Sequence, residues 1–141
     1  MPARNHDARH LDIGRLGEDA AAEHLAAKGL AVLERNLALG RLELDLVCRD
    51  GDTLVFVEVK TRAEGSLATP AEGLTAQKRA RLVRAAQSYL SLHGLWDRPC
   101  RFDLVSVRIR AGRVEGLEHV ENAFSADEAP GRGRTSSWQP W

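Results

Sequence analysis

Apolar and polar positions follow two different periods along this chain, and the changes of period divide it into elements. Between Leu42 and Arg62 the period is two: LELDLVCR, then an Asp-Gly pair, then DTLVFVEVKTR. Alternation over runs of this length predicts two strands, and Asp50-Gly51 between them predicts a two-residue hairpin loop, because Gly takes positive φ without steric cost. With Arg49 opposite Asp52, Val47 falls opposite Leu54, Asp45 opposite Phe56, Glu43 opposite Glu58 and Arg41 opposite Lys60. One face of the hairpin then carries Glu43, Asp45, Glu58 and Lys60, and the other carries Leu42, Leu44, Leu46, Val55, Val57 and Val59. The second strand is apolar on both faces as far as Glu58, the pattern of a central strand covered on both sides.

Upstream, an Ala-rich segment from Asp12 to Lys28 reads as a helix closed by Gly29. Ile13, Leu16, Ala20 and Ala27 share a side expected to pack on the sheet, and Glu18 heads a second stripe with Ala21, Ala22 and Leu25. Leu30 to Leu37 reads as an edge strand. Downstream, residues 63–75 are loop-like, with capping-box spacing at Thr69-Pro70-Ala71-Glu72. A helix from Thr75 to Leu92 follows, with Leu82, Ala85, Ala86 and Tyr89 as its apolar stripe and Gly94 as its cap. Arg101 to Arg110 alternates as a strand, with Asp103 pairing locally with Arg101; Gly112 marks a turn, and Val114 to Phe124 forms a last short strand. The expectation is an α/β domain over residues 12–124, with a mixed sheet of four or five strands, flanking helices and the core order α-β-β-β-α-β. Residues 1–11 read as a flexible arm. Residues 125–141 read as a disordered tail, whose Trp138 and Trp141 form either a docking motif for a protein partner or part of an unstructured end.

Composition narrows the function classes. A chain of 141 residues suits one domain with a real core. The formal net charge is zero, so any polyanion site must come from a local cluster such as Lys78, Arg79, Arg81 and Arg84 on the second helix. Cys48 and Cys100 lie far apart in no metal-binding spacing and read as reduced core thiols. No signal-peptide pattern and no run of eighteen or more apolar residues occurs, so the expectation is a cytoplasmic protein away from membranes.

The hairpin carries the chemistry. Three carboxylates and one ammonium gather at one end of a strand that is apolar elsewhere, and carboxylates withdrawn from water resist ionisation unless a cation compensates them. Two readings follow. Lys60 and neighbouring Arg side chains form a structural ion-pair network, or a hard divalent cation such as Mg²⁺ or Mn²⁺ binds the oxygens.

Asp45, followed by Glu58-Val59-Lys60 on the next strand, resembles the D…(D/E)xK signature of restriction-endonuclease-like nucleases. The wider run, Glu43-Leu44-Asp45-Leu46-Val47 with Val55-Phe56-Val57-Glu58-Val59-Lys60-Thr61-Arg62, resembles the bacterial YraN-like family of predicted endonucleases. Gly14, Gly17-Glu18, Ala21, Asn36, Pro70, Lys78, Ala86, Tyr89-Leu90 and Arg101-Phe102-Asp103 extend the likeness over about residues 12–123. Leu42 departs from the pattern, since the family has Gly before the Glu of its first strand.

The resemblance implies a restriction-endonuclease-like core and a Mg²⁺- or Mn²⁺-dependent phosphodiesterase acting on nucleic acid, with DNA repair or recombination as the setting. It assigns metal binding to Asp45 and Glu58, a third ligand to Glu18, and a supporting place to Glu43. Lys60 would orient or deprotonate the attacking water, and Lys78, Arg62 and Arg81 would contact nucleic acid. A junction-cutting activity would require a homodimer. The rival expectation is a nuclease-fold module that binds nucleic acid or protein without cutting it.

Overall fold

The computed structural model describes residues 6–63 and 74–126, with side chains from residue 13 onward. Helix α1 (His6–Ala27) leads into strands β1 (Ala31–Leu39), β2 (Leu42–Asp50) and β3 (Thr53–Ala63); helix α2 (Ala76–His93) then leads into β4 (Cys100–Arg110) and β5 (Arg113–Phe124). The five strands lie side by side in chain order. β3 and β4 are parallel and every other neighbouring pair is antiparallel. A parallel pair cannot be joined by a tight turn, and α2 is the crossover that joins this one.

Central β3 is covered on both faces, as its sequence predicts: Leu54, Val55, Phe56 and Val57 are all buried. Side-chain alternation sends Leu54, Phe56 and Phe102 to a core under α2 with Tyr89 and Leu90, and sends Val55, Val57, Val105 and Val107 to a second core under α1 with Leu25. Phe56 meets Tyr89 edge-on at 5.9 Å, and Phe102 stacks on Phe124 at 4.6 Å. The result is an α/β/α sandwich with one helix on each face of a mixed sheet. Cys48 and Cys100 are buried free thiols, pushed up by burial to about 11 and about 12. No helix among the described residues is long and apolar enough to cross a membrane.

The ends of α2 fall where capping chemistry places them. Thr75 Oγ1 accepts the backbone N–H of Lys78 at 3.2 Å, and Gly94, with φ 64°, returns its N–H to Leu90. α1 starts at His6, inside the segment expected to be an arm. Its buried stripe is Gly17, Ala21, Ala22 and Leu25; Ile13, Leu16 and Ala20 pack at its margin and Ala27 is exposed. The second stripe, not the first, therefore faces the sheet. Gly17 allows this approach, because a Cβ there would overlap the side chain of Thr61 on β3. The capping box at residues 69–72 and the tail tryptophans lie outside the described residues.

The hairpin register differs from expectation by two residues. Asp50 pairs with Thr53, Arg49 with Leu54, Val47 with Phe56 and Leu46 with Val57, so the loop is Gly51-Asp52, with Gly51 at φ 61°. A shift of two leaves each side chain of the β2–β3 ladder on its expected face, whereas a shift of one would have reversed them all. The β2–β3 ladder ends at Leu46 and Val57. Beyond it β2 turns away, and Leu44 and Leu42 pack into the α2 core, not the α1 core where strict alternation had put them.

Candidate active site

The candidate site lies where β2 leaves β3. Val59 N–H donates to Asp45 Oδ2 at 2.8 Å, so a carboxylate stands where the ladder would continue. Extending the observed register by one pair puts Asp45 level with Glu58. α2 closes over this end, and a pocket of about 180 Å³ is lined, among the described residues, by Glu43, Asp45, Glu58, Lys78, Arg81 and Leu82. Two strands supply the acids and one helix supplies the cations.

The electrostatics follow from this arrangement. Glu58 lies in the partly buried stretch of β3, and its carboxyl is pushed up to about 8. Burial is the main cause, followed by the negative charge of Asp45 and a hydrogen bond between the two acids; Lys78 and Lys60 pull the other way. The pair therefore retains a proton near neutrality, as two carboxyls forced together do. Lys60 is pushed below its ordinary value, first by a hydrogen bond shared with Lys78, then by burial and by the charges of Lys78 and Arg62.

Most of the residues singled out in the sequence meet here. Glu43, Asp45, Glu58, Lys78 and Arg81 line the pocket, and Lys60 adjoins it through Lys78. Arg62 is half-buried two residues further along β3. Glu18 does not line the pocket: it follows Gly17 on α1, which packs on the other face of the sheet near Thr61. Among the described residues, no three His, Cys, Asp or Glu side chains converge as a ready-made metal cluster. The acids still suit a hard cation. Asp45 and Glu58 are oxygen donors destabilised by their proximity, and Mg²⁺ commonly takes only one or two protein carboxylates, completing its shell with water and phosphate oxygens.

A second polar network lies on the α1 face, and the sequence pattern shows only part of it. Asp103 is buried and accepts Arg101 Nε at 3.1 Å, His119 Nε2 at 2.8 Å and the backbone N–H of Asn122 at 3.1 Å. Lys28 Nζ donates to His119 Nδ1 at 2.8 Å, and Arg101 reaches Asp50 at 2.9 Å. The local pairing of Asp103 with Arg101 is the part that the sequence predicts. His119 joins from β5, and no local pattern announces it.

The stretch of chain that carries this site matches known sequences. A family model described as "Uncharacterised protein family UPF0102" matches residues 17–107, a span running from Gly17 to Val107 of β4. A UPF0102 protein of Nitratidesulfovibrio vulgaris is 53% identical over 135 residues, covering 96% of this chain and 98% of that protein. A UPF0102 protein of Lawsonia intracellularis is 45% identical over 133 residues, with 94% and 99% covered, and one of Pelotomaculum thermopropionicum is 48% identical over 119 residues, with 84% and 98% covered. Matched over nearly its whole length by such relatives, and across the entire site by the family model, this chain belongs to the UPF0102 family, the YraN-like family that its carboxylate hairpin resembles.

Proposed function

We propose that the protein is a divalent-cation-dependent phosphodiesterase acting on nucleic acid, with DNA as the substrate class and a restriction-endonuclease-like fold. The observation that carries this reading is the convergence of Asp45 and Glu58 with Lys78 and Arg81 in one pocket at the end of the central strand, with Lys60 beside Lys78. The element order, with the acids on a hairpin inside a mixed sheet, supports the fold assignment.

Asp45 and Glu58 would hold Mg²⁺ or Mn²⁺, with Glu43 at the pocket rim. When bound, the cation would polarise the scissile phosphate and acidify water. The chain's own groups do the rest. Asp45 fixes the backbone between Glu58 and Lys60 through the Val59 N–H, which sets the spacing of the acid and the amine. Lys60, already short of a proton's full stability, orients the attacking water and accepts its proton as the new P–O bond forms and the ester P–O bond breaks. Lys78 and Arg81 face the same pocket and neutralise the charge that builds on the phosphoryl oxygens.

A second reading, a module that binds nucleic acid without cutting it, draws on the lack of a three-ligand cluster among the described residues. One experiment separates the two. Labelled duplex, single-stranded, flapped and four-way DNA are incubated with Mn²⁺ or Mg²⁺ and wild type, Asp45→Asn or Lys60→Ala. Metal-dependent cleavage lost in both variants is the expected result. Intact substrates that nonetheless shift in a gel would replace the enzyme with the binding module.

A further inference from the structure

The acidic pocket is not an isolated hole. One helical turn beyond Arg81, Arg84 begins an open groove of about 610 Å³ that continues along α2, lined by Leu42, Gln87, Ser88, Ser91 and Leu92. The two cavities adjoin through consecutive residues on one strand, Leu42 and Glu43, and through successive turns of one helix, Arg81 and Arg84. At the far end Trp96 is exposed and its indole N–H donates to Ser91 Oγ at 3.1 Å, which fixes the ring beside the groove. From Lys78 to Ser91, whose hydroxyl holds the Trp96 indole, the path along α2 is about 20 Å at the rise of an α-helix.

We propose that this groove receives an unpaired stretch of nucleic acid continuous with the strand held at the acidic pocket, so that the substrate class is a nucleic acid carrying a single-stranded end or flap. The inference rests on the phosphodiesterase reading for what happens at the pocket, and on the groove alone for what lies in it.

The chemistry of the lining favours an unpaired strand. Lys78, Arg81 and Arg84 run along one edge and match a row of phosphates. Leu92, 69% exposed, and Leu42 supply apolar surface that phosphates do not need but exposed bases do. Gln87, Ser88 and Ser91 offer donors and acceptors to base edges and sugars. Trp96 supplies the aromatic platform on which single-stranded sites stack bases. A duplex keeps its bases paired inside and would use only the cations, leaving the apolar and aromatic surfaces wet.

Binding is measured by fluorescence anisotropy in EDTA, so that cleavage plays no part, with a blunt duplex and the same duplex carrying a ten-nucleotide overhang. Wild type is expected to prefer the overhang. Arg84→Glu should lower that preference about tenfold and reduce the magnitude of the log–log salt slope by about 0.7, the share of one phosphate that Arg84 no longer neutralises. Trp96→Ala should also lower it. Ser88→Lys, which adds a cation at an exposed position, should raise it. These surface changes leave the melting temperature near that of wild type. Equal affinity for the two substrates, or a preference untouched by all three variants, would overturn the groove, as would a shift of Arg84→Glu from dimer to monomer in sedimentation. If the preference holds but no metal-dependent cleavage is found, the groove stands and the phosphodiesterase reading falls. If duplex is cut with no overhang preference, the reverse follows.

Discussion

Asp45 accepts the backbone N–H of Val59 at 2.8 Å, so a side chain of β2 holds the chain of β3 midway between Glu58 and Lys60. This bond gives Asp45 two separable duties. Asp45→Asn keeps an acceptor oxygen and removes the charge; Asp45→Ala removes both. The Ala variant should lose about 1–3 kcal/mol in urea unfolding, because a half-buried N–H is stranded. The Asn variant should lose much less, while matching Ala in the loss of any Mn²⁺-induced rise in melting temperature. Equal destabilisation by the two would remove the hydrogen bond from the account.

The carboxyl pair makes stability depend on pH in an unusual direction. The Glu58 pKa is raised on folding, from an ordinary 4.5 to about 8, so the folded protein holds more protons than the unfolded chain between these values. Stability therefore falls as pH rises through that window, and levels off above it. In EDTA the melting temperature should be lower at pH 8.5 than at pH 5.5, by a few degrees for each roughly 1 kcal/mol. Glu58→Gln should flatten this slope. Mn²⁺, competing with the shared proton, should restore most stability at the alkaline end. A metal-free protein that gains stability across the same range would contradict the shared proton.

Asp103 is a structural test case. It is buried with three donors upon it, and truncation strands the His119 Nε2 and leaves Arg101 only its more exposed partners Asp50 and Glu121. Asp103→Ala should cost about 3–5 kcal/mol, the range for breaking a buried charge pair from one side. Metal-induced stabilisation should survive, since Asp103 sits on the face of the sheet away from the pocket. Chemical denaturation with and without Mn²⁺ reads both quantities.

Gly17 and Thr61 make a steric pair. Gly17→Ala should destabilise by about 1–3 kcal/mol through overpacking, and Thr61→Gly in the same chain should recover part of that loss. Additive losses in the double variant would show that the two positions do not meet.

Sequence patterning made much of this legible, for physical reasons that also mark its limits. Period-two alternation placed the faces of β3 and of β2 from Asp45 onward, and failed at Leu42 and Leu44, where β2 leaves the ladder. It could not fix the register, because pairings two residues apart bury the same faces, and Asp50-Gly51-Asp52 can close either loop. The choice of stripe on α1 failed for another reason. Ala contributes little to any hydrophobic pattern, so the deciding feature was the missing side chain at Gly17, meaningful only once Thr61 stands opposite. Local charge pairing found Arg101 with Asp103. His119 comes from a different strand, and its place depends on a ladder that only the fold defines.

The parallel seam between β3 and β4 sets the order in which the site can assemble. The β2–β3 hairpin closes a two-residue loop at small entropic cost, as the β1–β2 and β4–β5 hairpins do, whereas α2 must cross over to β4 before it settles. Asp45 and Glu58 are thus brought together before Lys78 and Arg81 arrive. The nascent hairpin carries its repulsion uncompensated until they do, and a mildly acidic solution, which protonates one of the two acids, relieves it.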